Sequence, residues 1–463
     1  MIHQYKNNGY NIVLDVNSGS VHVVDDIVYD VIACMVENKL ENENADNILE
    51  ALRTSLPQWN DGDLGELTEI VDEIVSLRDD EMLFTEDIYE KSIEAFQNRE
   101  TVVKALCLHI AHDCNLKCQY CFAEEGEYHG RRALMSFEVG KKALDFLVAN
   151  SGHRVNLEVD FFGGEPLMNW QVVKDLVAYG RSLEEPHHKK FRFTLTTNGV
   201  LLNDDIIAFA NKEMANVVLS VDGRKEVHDR MRPMAGGQGS YDLVIPKFKK
   251  VAESRNQTNY YVRGTFTHFN KDFAADVCHL ADLGFQQISV EPVVAPESEP
   301  YALVESDLPE LLAEYDKLAA EMIKRRKEGK AFHFFHFMID LKGGPCVYKR
   351  LSGCGSGTEY LAVTPWGDFY PCHQFVGQEE FLMGNVNEGM INTDIRKEFQ
   401  TCNVYSKEKC KDCFAKFYCS GGCAANAYNF HGSIHDAYDL GCELQRKRVE
   451  CAIMLKAAFA EEI

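Results

Sequence analysis

The sequence predicts an α/β fold: a partial (βα)6 barrel of the TIM type, preceded by a winged helix-turn-helix module and followed by a cysteine-rich domain. Three observations carry this expectation. Between Lys104 and Lys330, apolar runs of strand length alternate six times with amphipathic segments of helix length. Ahead of that array, two short alternating runs precede three helical patterns. Behind it the alternation stops, and ten of the 16 cysteines fall between Cys346 and Cys451. The divisions fall at residues 1–90 for the first module, 91–103 for a linker, 104–330 for the barrel and 331–463 for the cysteine-rich domain.

In the first module, Tyr10 to Val16 and Ser20 to Val24 alternate around the turn-forming Asn17-Ser18-Gly19, which predicts a hairpin. Helices are predicted at Ile27 to Glu37, Asp46 to Leu56 and Leu64 to Leu77. Strands followed by three helices suggest a winged helix-turn-helix, a fold that often reads DNA. Acidic residues crowd Glu41 to Glu81, however, and no basic recognition helix stands out. An exposed hairpin edge suits an extended peptide added as a strand.

In the array, strands are predicted at Ala105 to Ile110, Leu157 to Phe162, Phe191 to Thr196, Val217 to Val221, Tyr260 to Thr267 and Ile288 to Val293. The helical segments are Phe137 to Val148, Val172 to Leu183, Asp204 to Lys212, Tyr241 to Ala252, Phe273 to Leu283 and Leu308 to Lys327. In a parallel barrel the residues just beyond the C-terminal ends of the strands line one cavity, and the chemistry belongs there. After Gly329, a region dense in Cys, Gly and aromatic residues shows few long helical patterns before Glu443. Ligands, more than a large apolar core, are expected to organise it.

With 72 acidic and 48 basic residues the formal charge is −24, which opposes a polyanionic partner and argues against nucleic-acid binding. The first residues, MIHQYKNNGY, have neither the basic nor the apolar segment of a secretion signal. Nowhere do the ~18 consecutive apolar residues of a membrane span occur. The expected compartment is therefore the reducing cytoplasm, with no membrane partner, where cysteines read as metal ligands rather than disulfides. Cys34, Cys107, Cys278, Cys402 and Cys451 fit no ligand spacing and read as packing thiols.

The first barrel strand runs into Cys114-Asn-Leu-Lys-Cys118-Gln-Tyr-Cys121, three thiolates in the loop where a barrel places its chemistry. Zinc sites usually offer four ligands in CxxC pairs, whereas three cysteines on an iron–sulfur cube leave one iron open to a substrate or cofactor. The competing reading is a zinc knuckle completed by His112 or His129; His109 and His112 read otherwise as strand-end packing residues. Further strand ends carry Gly163-Gly164-Glu165-Pro166, Thr197-Asn198-Gly199 and Ser220-Val221-Asp222-Gly223. The C-terminal series Cys354, Cys372, Cys410, Cys413, Cys419, Cys423 and Cys442 suits iron–sulfur clusters or a pair of structural zinc ribbons.

The CxxxCxYC group after the first strand of a six-unit βα array resembles the radical S-adenosyl-L-methionine (SAM) superfamily. The resemblance implies that Cys114, Cys118 and Cys121 hold a 4Fe-4S cluster that cleaves SAM reductively. It implies that Gly163 and Gly164 let backbone approach SAM and that their motif, with Glu165, contacts the methionine amino group. It places Asn198 near the cofactor, Ser220 toward its ribose or carboxylate, and Tyr120 beside the adenine. Arg232, in His228-Asp-Arg-Met-Arg232-Pro233, matches an arginine that pairs with the methionine carboxylate, where a guanidinium fork suits two oxygens.

The C-terminal series resembles the SPASM extension of radical SAM peptide-modifying enzymes, which houses two auxiliary clusters. Carried across, Cys354, Cys372 and Cys423 would hold auxiliary cluster I, its fourth iron either capped by Cys346 or left open. Cys410, Cys413, Cys419 and Cys442 would hold auxiliary cluster II. The implied cofactors are SAM and three 4Fe-4S clusters.

Taken together, the three regions resemble maturases of ribosomal peptides. The strings His109-Ile-Ala-His112-Asp-Cys114-Asn-Leu and Gly344-Pro-Cys346-Val-Tyr-Lys-Arg-Leu-Ser-Gly-Cys354 are similar to those of maturases acting on six-cysteines-in-forty-five-residues (SCIFF) peptides, which make sactipeptide thioethers. The implied activity bonds a cysteine sulfur to the α-carbon of another residue after a 5′-deoxyadenosyl radical removes a hydrogen. The implied partners are a Cys-rich precursor peptide whose leader docks on the N-terminal module and a low-potential electron donor of flavodoxin or ferredoxin type. The alternatives are an anaerobic sulfatase maturase forming formylglycine, a maturase joining sulfur to side-chain carbons, and a noncatalytic zinc scaffold.

Overall fold

The computed structural model describes residues 1–59, 64–128, 130–341, 347–390 and 392–460. Cys346 and His129 lie outside the described residues.

At the N-terminus, β1 (Ile2–Asn7), β2 (Tyr10–Asp15) and β3 (Val21–Val24) form an antiparallel sheet in that order. Helices Asp26–Glu37, Ala45–Ser55 and Leu64–Asp79 follow. Asp25 and Asn44 start the first two by accepting from the backbone N–H of Val28 and Asn47, as N-caps do. The predicted hairpin is present, but β1 was not foreseen. Its sequence, IHQYKN, buries only Tyr5 and Asn7, so it carries little apolar alternation.

The second sheet contains the six expected parallel strands. They are β4 (Ala105–His112), β6 (Asn156–Gly163), β7 (Lys190–Thr197), β8 (Met214–Ser220), β9 (Tyr260–Phe266) and β10 (Gln287–Pro292). Each lies beside its predecessor in the array, joined by the predicted helices, while the two-residue β5 (Ala133–Leu134) pairs antiparallel with the end of β4. All eight residues of β4 are buried, as expected of a strand with parallel neighbours on both sides and covered faces. Those neighbours are β6 and β12 (Tyr360–Val363), a strand supplied by the C-terminal region. The short strands β13 (Asp368–Tyr370), β14 (Gly384–Asn385) and β15 (Gly389–Met390) continue that edge antiparallel. At the other edge, β11 (His333–Phe334) pairs parallel with β10. Among the described residues no ladder joins the two edges, so the sheet is an open α/β array.

The cysteine-rich region is built from short helices and turns until Asp439–Ala460, a 22-residue helix that packs on Leu308–Lys327. Three apolar cores result. The largest runs through the parallel sheet and its helices. A second joins Tyr5, Ile12, Leu14 and Val16 of the N-terminal sheet to Phe417, Val449 and Ile453 of the cysteine-rich region. The third fills the three N-terminal helices. The segment expected as a linker packs as well: Phe96 enters the second core, and Gln400 donates to the carbonyls of Gln97 and Arg99. No described helix is long and apolar enough to cross a membrane.

Candidate active site

Beyond the C-terminal ends of the parallel strands lies a cavity of about 480 Å³, where the βα pattern places it. Cys114, Cys118 and Cys121 line it. Burial pushes the thiols of Cys114 and Cys118 up to about 12 and about 11, and each also feels the charge of Cys121. All three thiols therefore border one space.

The glycines that follow β6 have a local reason. A Cβ on Gly163, whose φ is +119°, would stand 2.3 Å from the carbonyl oxygen of Ala111, and one on Gly164 would stand 2.1 Å from that of Asp113. The close backbone approach they permit is thus first of all to the chain's own cysteine loop, although both also line the cavity. Glu165 is the one expected cofactor contact that does not line it. Its carboxylate is fully buried and accepts from the backbone N–H of Leu167 at 3.0 Å, the Thr197 hydroxyl at 2.8 Å and the backbone N–H of Asn198 at 2.8 Å. Burial pushes its pKa up to about 7 against those three bonds. Glu165 therefore ties the end of β7 to the glycine turn.

Tyr120, Asn198, Ser220 and Arg232 all line the cavity. Asn198 donates to Asn115 Oδ1 at 2.7 Å and to Cys114 Sγ at 3.7 Å. Arg232 Nη1 donates to Cys118 Sγ at 3.8 Å, and its guanidinium lies 5.3 Å from the centre of the Tyr120 ring. The group that joins them is one the sequence reading passed over. Asp222, completely buried after β8, accepts from the Tyr120 hydroxyl at 2.7 Å, from Arg232 Nε at 3.0 Å and from the backbone N–H of Thr265 at 3.1 Å. It was visible in the string Ser220-Val221-Asp222-Gly223, where the strand-end rule points to every residue and not to Ser220 alone.

Further lining residues were also missed: Arg263 of β9, Glu291 of β10, His336, Asn426 and Arg448. Arg263 Nη2 donates to Glu291 at 2.6 Å, and Arg448 bonds the ring of His336. Glu291 could have been found at a strand end; Arg263 lies in the middle of β9, and Arg448 comes from a helix almost two hundred residues later. His109 and His112 bond one another at 3.0 Å among Tyr128 and Phe162, in keeping with a packing role, and burial holds both rings neutral.

The C-terminal cysteines form two groups. Cys354 and Cys423 act electrostatically on Cys372, whose thiol is pushed up chiefly by burial. Cys410, Cys419 and Cys442 each feel Cys413 and one further member of this set, and burial pushes all three up to about 11. Cys423 also lines the large cavity, so one space is bordered by the CxxxCxxC group and by a member of the C-terminal series. Cys34, Cys107 and Cys451 are buried, Cys107 within electrostatic reach of Cys372; Cys402 lines a small cavity with Cys354. Among the described residues no three His, Cys, Asp or Glu side chains close on a single ion.

An α/β array with a cysteine-lined cavity at its strand ends defines a class, and residues 108–268 match the radical SAM superfamily while residues 354–414 match SPASM, an iron–sulfur cluster-binding domain. The chain thus carries a radical SAM domain followed by a SPASM domain. It is similar to a cysteine-type anaerobic sulfatase-maturating enzyme of Clostridium novyi, 25% identical over 352 residues that cover 72% of this chain and 90% of that protein. The structure of native anSMEcpe with bound AdoMet superimposes with a TM-score of 0.65 at 20% identity, covering 78% of this chain and 100% of the other. The crystal structure of Streptococcus suis SuiB bound to precursor peptide SuiA covers 95% of this chain and 97% of its own, with a TM-score of 0.53 at 14% identity.

Proposed function

We propose that this protein is a radical SAM peptide maturase that joins a cysteine sulfur to the α-carbon of another residue in a Cys-rich precursor peptide. The observation that carries the reading is the single cavity that Cys114, Cys118, Cys121 and Cys423 all border. When bound, SAM and its cluster supply the radical chemistry that removes a hydrogen atom from the peptide. The chain's own residues do the rest. Asp222 fixes Tyr120 and Arg232 beside the cysteine loop, and the Arg232 fork faces the cavity where a carboxylate can be received. Glu165 holds the glycine turn and Asn198 in register.

Leader docking belongs to the same proposal. The exposed edge is β3, where Val23 stands 46% exposed at the margin of the N-terminal sheet, and an extended peptide can add there as a fourth strand. Supporting this is the coverage of the SuiB structure, which bears a bound precursor peptide: a match to 95% of this chain must include most of the N-terminal module.

The test is anaerobic. Iron content of about twelve per chain, four for each of three cubes, is expected with visible absorption. The reconstituted protein, given SAM, a reductant and a Cys-rich precursor peptide, is expected to yield a product lighter by two hydrogens with one thiol blocked from alkylation. Removal of the leader is expected to raise KM and leave kcat close to its value. The similarity to a sulfatase-maturating enzyme favours a second reading, formylglycine formation on a sulfatase-derived peptide. Activity on that peptide, with none on precursors, would select it. Colourless, zinc-loaded protein would discard both.

A further inference from the structure

Lys407, only 2% exposed, leads into the short helix Glu408–Lys411. Its ammonium donates to the carbonyl oxygens of Gly421 at 2.9 Å and Asp436 at 2.8 Å, and no carboxylate among the described residues forms an ion pair with it. Lys416 provides the contrast: it is 4% exposed and meets Asp87 at 2.8 Å. A buried charge costs several kcal/mol unless an opposite charge compensates it, and two neutral carbonyls satisfy hydrogen bonding only.

Thiols and a second cation, Arg99, whose charge is met by Glu359, share the surroundings of Lys407. Lys407 lines a cavity of about 30 Å³ with Cys354, Cys402 and the turn Ser420-Gly421-Gly422. That turn links Cys419 of one cysteine set to Cys423 of the other, and its three residues have φ of 62°, 85° and 73°. The chain therefore doubles back tightly, and Lys407 grips it at the central carbonyl. Gly421, the residue that Lys407 grips, stands two positions from Cys419 of one set and two from Cys423 of the other, so one cation sits beside members of both sets.

We propose that Lys407 is the shared counter-charge of the two auxiliary centres, a positioning residue that pins the Cys419–Cys423 connector and raises the reduction potential of both. The proposal rests on the reading of these two sets as iron–sulfur ligands. A cluster becomes more negative on reduction, so a fixed buried cation favours the reduced form.

The experiment is a potentiometric titration of the holoprotein followed by electron paramagnetic resonance, on wild type, Lys407→Met and Lys407→Arg. In Lys407→Met both auxiliary potentials are expected to move negative while that of the Cys114/Cys118/Cys121 centre stays in place, and Lys407→Arg is expected to recover most of the shift. Full iron content with unchanged auxiliary potentials in Lys407→Met, or movement of one auxiliary potential alone, would overturn it. Iron lost from Lys407→Met but kept by Lys407→Arg supports the counter-charge, because only one of them loses the charge. Equal loss in both overturns it in favour of a steric role. Iron-free wild-type protein after reconstitution sinks the cluster reading itself, before any variant is compared.

Discussion

At the residue scale, Asp222 organises the cavity wall through groups from three separate stretches of chain: Tyr120, Arg232 and Thr265. Asp222→Asn keeps the shape but leaves the Arg232 guanidinium, itself largely buried, without its counter-charge. A loss of about 3 kcal/mol in unfolding free energy is expected, since breaking a buried pair strands the remaining charge; denaturant titration measures it. SAM affinity should fall with it, as read by equilibrium dialysis. Glu165 gives a pH dependence instead. Its pKa rises from 4.5 to about 7 on folding, so the folded chain holds a proton that the unfolded chain releases, and its contribution to stability declines as pH rises through that window. The stability gap between wild type and Glu165→Gln is therefore expected to narrow from pH 5 to pH 7, and a gap that widened would reject the assignment. The sequence made the cysteines and the strand-end glycines legible because their spacing is local. The Asp222 hub was not legible, because its partners lie up to about a hundred positions away.

At the scale of elements, β6 to β10 with their helices were readable from apolar periodicity and β4 as a continuous apolar run, since it is buried on both faces. The N-terminal sheet was only half readable, because it borrows its core. Tyr5 donates to the Glu450 carbonyl at 2.9 Å, and His3 stacks on Phe414 at 3.4 Å. The connection after it is likewise held down: Asp87 meets Lys416 and accepts from the Tyr405 hydroxyl at 2.7 Å. Burial alone would raise the Asp87 pKa, but those two partners hold it below the usual carboxylate value. Asp87→Asn is expected to cost about 3–5 kcal/mol, by leaving Lys416 buried without an anion. Faster amide exchange in residues 85–97, with the parallel sheet unchanged, is the signature to look for. Deletion of residues 1–90 would remove part of the second core, so loss of activity there could not report on leader docking. A charge on the outer strand can: Val23→Glu is expected to raise KM for leader-bearing peptide several-fold, leave kcat unchanged, and have no effect on leaderless peptide.

At the scale of the whole molecule, the second core joins both ends of the chain around one cysteine set. Cys410 is a member of it, Cys413, Cys419 and Cys442 pack against it, and Tyr5, Ile12 and Leu14 supply its other side. The parallel sheet has a separate and much larger core. Short helices such as Glu408–Lys411 and Lys416–Cys419 are too brief to persist without a ligand, so whatever the four thiols hold also fixes the surface on which β1 and β2 rest. Removal of iron by a chelator under oxidising conditions is therefore expected to act in two places far apart in sequence. Hydrogen exchange should rise together in residues 2–15 and 407–423, while β4 and β6 to β8 keep their protection because their contacts are apolar and local to the sheet. Exchange confined to 407–423 would show instead that the N-terminal sheet is held by Glu450, by Asp316, which accepts from the Asn7 side chain at 2.7 Å, and by the apolar side chains alone. If both regions rise, iron loading and presentation of the N-terminal edge become one equilibrium, and under the proposed function protein lacking its auxiliary centres would also bind leader peptide less tightly.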